Sequence, residues 1–123
     1  MKFIRIDADN IGDQIELALM NNDIEKAKEI ASSVENFMRE LKKKLTLNPD
    51  FKILMAGCDD ILLVFDGDKL EVSRLLEEIR SDFFSRTSFT ISIGVGDNLF
   101  QAMFNLKKAK LSGKNMVVGL SGD

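Results

Sequence analysis

Apolar residues recur along the chain at two different periods. From Asn22 onward Ile24, Ala27, Ile30, Ala31, Val34, Phe37, Met38, Leu41 and Leu45 return at three- and four-residue steps, one face of a long helix. Asn22 with Glu25 three positions on reads as a capping box that starts it. Lys42, Lys43 and Lys44 fall near its end, where the helix dipole favours cations. The same spacing predicts a short helix over residues 13–20. It predicts another after Asp68 with Val72, Leu75, Leu76, Ile79 and Phe83 inward, and a fourth after Asn98 with Leu99, Met103 and Leu106 inward. Elsewhere the period falls to two. Phe3–Asp7 reads as a strand, and Ser88–Gly94 alternates strictly, Phe89, Ile91 and Ile93 to one face and Ser88, Thr90 and Ser92 to the other. Phe51–Ala56 and Ile61–Phe65 are apolar runs joined by Gly57-Cys58-Asp59-Asp60, a hairpin signature. Lys114–Leu120 reads as a last strand.

The predicted order is β-α-α-β-β-α-β-α-β. This is an α+β fold on the ferredoxin-like plan, βααββαβ extended by αβ, with antiparallel neighbours in its sheet. The alternation at Ser88–Gly94 leads us to expect all four helices on one sheet face and water on the other. No linker, repeat or low-complexity tract divides the chain, and Asn48-Pro49 marks a turn. We expect a single domain over residues 1–123.

Composition narrows the chemistry. The 123 residues include no Trp, Tyr or His. Without histidine, the usual general base near neutral pH and a common zinc ligand are missing. The single Cys58 excludes an internal disulfide and a multi-cysteine metal site, and fits a reducing cytoplasm. Charges interrupt the opening residues too early for the apolar segment of a signal peptide. No apolar run approaches the roughly 20 residues that span a bilayer, so no membrane is expected. A net charge of −3 gives no electrostatic footprint for long nucleic acid. A small anionic ligand needs only a local basic cluster.

Acids gather in two places. Asp7 ends the first strand and Asp59-Asp60 occupies the hairpin tip, and in this plan those strands are central neighbours. Converging carboxylates without histidine suit hard cations such as Mg²⁺ or Mn²⁺. A pair of such ions activates a sugar hydroxyl and stabilises a leaving pyrophosphate. Turn chemistry is the competing reading of Asp59-Asp60, and Asp7 as a cap is that of Asp7. Against it, Asp7-Ala8-Asp9-Asn10-Ile11-Gly12 sets exposed amides directly before a helix, a phosphate-binding arrangement.

The basic residues cluster later. Lys107, Lys108, Lys110 and Lys114 fall within eight residues, and Lys110 and Lys114 flank the Ser112-Gly113 turn. Dipole complementarity suffices for Lys107 and Lys108. Gly94-Val95-Gly96 lacks the third glycine of a dinucleotide fingerprint, since Leu99 stands there. Cys58 reads as a small turn-filler and Phe100 and Phe104 as partly buried core. Arg5 shares the face of Asp7 and reaches either a phosphate or an acid.

Asp7-Ala8-Asp9-Asn10-Ile11-Gly12, Gly57-Cys58-Asp59-Asp60, Ser92-Ile93-Gly94-Val95 and Ala109-Lys110-Leu111-Ser112-Gly113-Lys114-Asn115 follow the order of motifs in GGDEF-type nucleotidyl cyclases. The Asp-x-Asp-Asn start, the Asp-Asp ending and the short length resemble more closely the palm domain of CRISPR polymerases, above all the stand-alone minimal CRISPR polymerase family, mCpol. The resemblance covers essentially the whole chain. Each motif is weak alone, and four in order are specific.

The resemblance implies a palm-domain cyclase that condenses nucleoside triphosphates into a cyclic oligonucleotide messenger for antiviral defence, read by a separate receptor. It implies Asp7 and Asp59 as ligands of two Mg²⁺ or Mn²⁺ ions, Asp60 as a further metal-site acid, and a metal contact from the Ala8 carbonyl. Lys110 and Lys114 would bind triphosphate, and the amides of Asn10, Ile11 and Gly12 would hold phosphate oxygens. Gly57 and Cys58 would form the hairpin tip that the nucleotide approaches. Cys58 stands where the family carries its second hairpin glycine, which bears on substrate fit and turnover. Ile15 and Ile24 fall near the places of the base-reading Asn and Asp of guanylate cyclases, which turns the expectation from GTP to ATP. Ring closure calls for a homodimer, including one assembled only with nucleotide bound. Two other readings stand beside this one: a catalytically degenerate domain that binds nucleotide as a regulatory module, and a plain ferredoxin-like interaction domain.

Overall fold

The computed structural model describes residues 1–120. The elements are β1 (Lys2–Ala8), α1 (Ile11–Met20), α2 (Ile24–Thr46), β2 (Phe51–Ala56), β3 (Asp60–Phe65), α3 (Lys69–Thr87), β4 (Ile91–Gly96), α4 (Leu99–Leu111) and β5 (Val117–Val118). The sheet order is β2-β3-β1-β4-β5, antiparallel except for the parallel β4–β5 pair. This is the expected ferredoxin-like palm extended by one helix and strand, and β1 lies at its centre.

Ile4, Ile6 and Ala8 of β1 sit opposite Val95, Ile93 and Ile91 of β4. With Ile61, Leu63 and Phe65 of β3 they form a face buried under α2 and α3. Val34, Phe37, Met38, Leu41 and Leu45 come down from α2, and Val72, Leu76, Ile79 and Phe83 from α3. Phe37 and Phe83 meet edge to face at 5.1 Å, a favoured aromatic geometry. α1 joins this layer through Ile11, with Ile15 packed against it.

The expectation that all four helices share one face is corrected. α4 lies on the opposite face, the side of Arg5, Asp7, Ser92, Gly94 and Gly96. A Cβ added to Gly94 would stand 2.3 Å from both the Ala102 carbonyl oxygen and the Leu106 nitrogen. A Cβ at Gly96 would stand 2.6 Å from the Ala102 nitrogen. The two glycines thus leave a track without side chains, and the α4 backbone settles into it. The α4 residues that turn inward are Ala102, Leu106 and Ala109, whereas Leu99 and Met103 are largely exposed. Phe100 and Phe104 are exposed too, stacked on each other rather than part of the core. Ser92, expected to face water, is fully buried beneath this layer.

Handedness explains why pattern misled. β3, β4 and β5 all run parallel, because β3 and β4 are each antiparallel to β1. α3 and α4 therefore make crossovers in the same direction along the sheet, but on opposite faces. Their hands are opposite, so one of them departs from the right-handed rule that nearly all such connections obey.

Smaller boundaries also move. α2 is capped by Asp23, whose carboxylate accepts from the Lys26 amide, not by Asn22, which takes a left-handed turn at φ 58°. β4 starts at Ile91, because Ser88 ends α3 at φ 66°. The last strand contracts to Val117–Val118, since Lys114 and Asn115 are in a left-handed turn.

Candidate active site

Hydrogen bonds on both sides carry the end of β1 past the sheet. The Ala8 amide donates to the Asp59 carbonyl at the hairpin tip (3.0 Å), and the Asp9 amide to the Thr90 carbonyl (2.9 Å). Asn10 then turns left-handed, φ 60°, and α1 begins without a side-chain cap. Helix geometry leaves the amides of its first turn without intrahelical partners. A Cβ added to Gly12 would meet nothing within 4 Å, so the turn is open on the side of Gly12.

Asp7 and Asp9 straddle this turn and behave oppositely. Burial pushes the Asp7 carboxyl above its ordinary range; the Lys110 ammonium pulls it back, and the charge of Asp59 adds to the rise. Asp9 is 2% exposed. Burial alone would raise its pKa, but hydrogen bonds from Lys110, Ser92 and Thr90 outweigh it and hold the carboxyl below the usual range. Asp9 Oδ1 accepts from Ser92 Oγ (2.7 Å) and Lys110 Nζ (2.6 Å). Oδ2 accepts from Thr90 Oγ1 (2.8 Å) and the Asn115 amide (3.1 Å). Four donors fill a carboxylate's capacity.

Lys110, in the last turn of α4, also touches Asp7 Oδ2 (3.1 Å), the Ala8 carbonyl (3.1 Å) and the Asp7 carbonyl (3.4 Å). Beyond it Gly113, Lys114 and Asn115 are consecutive left-handed residues at φ 115°, 66° and 52°. Such conformations cost energy for residues other than glycine. Here the turn brings the Lys114 ammonium to the Asn10 side-chain oxygen and the Asn115 amide to Asp9.

The hairpin tip supplies the other acids. Asp59 is half-buried and near enough for its charge to act on Asp7. Asp60 lies directly opposite Asp7 in the β1–β3 register, but its carboxylate pairs with Arg5 at 2.7 Å. Arg5 thus finds an acid. A Cβ on Gly57 would sit 2.3 Å from Asp60 Oδ1, so a side chain there would dislodge that carboxylate. Cys58 is exposed and its backbone is not left-handed, so this hairpin holds a cysteine without strain.

The structure brings Asp7, Ala8, Asn10, Asp59, Lys110 and Lys114 together at the end of β1, whereas the Asp60 carboxylate is engaged by Arg5 and the Gly57 carbonyl by Lys42 Nζ at 3.5 Å. Asp9, Thr90, Ser92 and Asn115 went unread. The Asp-x-Asp spacing was the available signal, because period two returns Asp9 to the side of Asp7 if β1 continues.

The donor set fits a hard divalent cation. Asp7 presents a partly buried carboxylate, Ala8 a carbonyl and Asp59 a second carboxylate, and the Lys110 ammonium already stands as a cation on the oxygens of Asp7 and Ala8. Among the described residues no three His, Cys, Asp or Glu side chains form a cage.

Solved structures share this fold. The chain is similar to one in the crystal structure of a Csm1–Csm4 cassette in complex with cA4: TM-score 0.69, 18% identity, 94% of this chain and 20% of that one. The cassette in complex with one ATP matches at TM-score 0.66 and 19% identity, over 96% of this chain and 20% of that one. A DinB family error-prone DNA polymerase from Sulfolobus solfataricus matches at 0.62 and 21%, over 97% and 47%. The chain thus spans a minor part of each, the part with the palm fold. No curated protein matches it. The family model of mCpol, the minimal CRISPR polymerase domain, matches residues 3–120, and the chain belongs to that family.

Proposed function

We propose that this chain is a metal-dependent nucleotidyltransferase, a cyclase that condenses nucleoside triphosphates, ATP first among them, into a cyclic di- or oligonucleotide messenger for CRISPR-like antiviral defence. The observation that carries this reading is the meeting of the Asp7 carboxylate, the Ala8 carbonyl and Asp59 beside the open first turn of α1 and two lysines.

Asp7, Asp59 and the Ala8 carbonyl hold the cation, and Asp60 joins them only if it gives up Arg5. Mg²⁺ or Mn²⁺, two ions per site, supplies when bound the activation of a sugar hydroxyl and the neutralisation of leaving pyrophosphate. The amides of Asn10, Ile11 and Gly12 take phosphate oxygens at the positive end of the α1 dipole. Lys110 and Lys114 neutralise the triphosphate, and the small Gly57-Cys58 tip lets the nucleotide approach. The adenine ligands of similar structures, cA4 and ATP in the Csm1–Csm4 cassette, support the choice of ATP. A homodimer supplies the second nucleotide, and a separate receptor reads the product.

The test is incubation of the purified protein with each nucleoside triphosphate and Mg²⁺ or Mn²⁺, with products identified by mass. Cyclic adenylate with release of pyrophosphate is the expected result. Nucleotide bound but never converted would leave a regulatory module, and no metal-dependent binding would leave an interaction domain.

A further inference from the structure

We propose that Lys110 is the resident cation of the metal-free site: its ammonium takes the place of a metal ion on Asp7 and Ala8, and Asp9 is the anchor that retains it when a metal enters. The inference rests on the metal-site reading above, and concerns the order in which the site fills.

Three observations carry it. First, Lys110 Nζ meets four oxygens, from Asp9 Oδ1, Asp7 Oδ2, the Ala8 carbonyl and the Asp7 carbonyl. An ammonium has three hydrogens, so the contacts compete. Asp9 holds the shortest at 2.6 Å, while the three contacts on Asp7 and Ala8 lie at 3.1–3.4 Å. Second, Asp9 cannot serve as a metal ligand without losing a partner. Thr90, Ser92, Asn115 and Lys110 occupy it fully, and its side chain is 1% exposed. It is a fixed post. Third, Asp7 is 31% exposed on its side chain, against 1% for Asp9. The Lys110 side chain itself is 22% exposed on a four-carbon stem, free to withdraw from Asp7 without moving α4.

Two consequences follow from charge. In the metal-free site an ammonium on Asp7 and Ala8 opposes a divalent ion at the same oxygens. When a triphosphate arrives, its oxygens offer Lys110 a new partner, the ammonium turns from Asp7 while holding Asp9, and the oxygens come free. Metal and triphosphate therefore enter together, and the site resists loading with metal alone. Asp9 acts through Lys110 and is a positioning residue.

A plain structural reading makes Lys110–Asp9 a clamp between α4 and β1, with no bearing on metal. The two part company in Mn²⁺ binding measured without nucleotide, by paramagnetic resonance of the free ion. Lys110→Met is expected to tighten Mn²⁺ binding, by a factor within the roughly 5–150-fold range of ordinary site coupling. Lys110→Arg, which keeps the charge, should stay at the wild-type value. The double variant Asp9→Asn/Lys110→Met should keep the gain, and Asp7→Asn/Lys110→Met should lose it. Amide spectra of each variant report whether the fold persists. Mn²⁺ affinity unchanged in Lys110→Met, or a gain that vanishes with Asp9→Asn because the ion sits on the vacated Asp9, overturns the proposal. Mn²⁺ bound by no variant overturns it as well. Failure of the enzymatic reading is separate: a protein that makes no product from any nucleotide can still show the Lys110 effect on metal.

Discussion

Asp7 and Asp60 stand directly opposite each other across the β1–β3 ladder, yet each leans on a different cation, Asp7 on Lys110 at 3.1 Å and Asp60 on Arg5 at 2.7 Å. Like charges at opposed positions destabilise a ladder, so the two cations keep this pair in place. The compensation is unequal. Burial and Asp59 leave the Asp7 carboxyl with a raised pKa. A group whose folded pKa is raised is ionised at neutral pH at a cost to the folded state. Asp7→Asn is therefore expected to leave the metal-free protein as stable as wild type or more so, while abolishing product formation. Thermal melting in a chelator and product assays check both halves. Undiminished product yield removes Asp7 from the metal site.

Asp60→Asn should do the reverse to stability. It leaves the half-buried Arg5 guanidinium without its carboxylate, and Arg5 Nε already has no partner among the described residues. Loss of one member of a charge-assisted hydrogen bond costs about 1–3 kcal/mol. Denaturant titration of Asp60→Asn should show a lowered midpoint. A midpoint equal to wild type would mean that solvent screens the pair fully.

Gly94→Ala tests the seat of α4. The new methyl would meet the helix backbone at Ala102 and Leu106 at 2.3 Å, with no flexible side chain to yield. Overpacking of this kind costs roughly 1–3 kcal/mol or more. Because α4 carries Lys110, the substitution should also weaken nucleotide binding, unlike an equally destabilising change in the α2–α3 layer such as Leu76→Ala. Equal nucleotide affinity in the two variants would uncouple the seat of α4 from the site.

The same glycine shows where sequence reading succeeds and where it stops. The α2 stripe was legible because one helix face meets one sheet face turn after turn: Ala27, Ile30, Val34, Phe37, Met38, Leu41 and Leu45 are buried, while Ile24 and Ala31 of the expected stripe are exposed. The hairpin and the central place of β1 followed from run lengths and element order. The position of α4 did not. Of its buried residues Ala102, Leu106 and Ala109 only Leu106 stood in the expected stripe, and two alanines over a glycine track give little hydrophobic signal. Gly94 and Gly96, which lack the third glycine of a dinucleotide fingerprint, serve as a floor for a helix. Asp9 was legible only as the second acid of Asp-x-Asp, and its burial was not. Its partners Thr90, Ser92 and Asn115 lie far along the chain, so no local pattern announces the bonds that hold it.

Lys114→Ala should weaken triphosphate binding by roughly 1–3 kcal/mol, the scale of a charge-assisted hydrogen bond. The motive is its left-handed backbone, φ 66°, which a lysine adopts at a cost and which brings its ammonium to Asn10 at the start of α1. Lys107→Ala and Lys108→Ala, on the exposed side of α4, serve as controls for lost charge alone. Titration with a non-hydrolysable triphosphate at fixed salt distinguishes them. If Lys114 proves no more sensitive than the controls, it belongs to the solvated surface.

Catalysis should require two protomers facing each other. A single Asp7 site with one open helix turn and two lysines accommodates one triphosphate. Closing a ring takes a second nucleotide whose hydroxyl attacks the first phosphorus, and then the reciprocal attack. An isologous pair presents each hydroxyl to the other's phosphorus by symmetry, and holding both supplies the proximity that makes the attack effectively unimolecular. Such a partner would have to stand against the exposed hairpin tip and the first turn of α1. Nucleotide itself would bridge the two copies, so the pair need not persist without it. Specific activity measured against enzyme concentration at saturating substrate should therefore rise and then level off. Asp59→Asn protein mixed into wild type should poison activity beyond simple dilution, because each mixed pair has one defective half. Flat specific activity down to concentrations where crosslinking with nucleotide present finds only monomer would sink the idea, and ring closure would then have to occur within one site by rebinding of a linear intermediate.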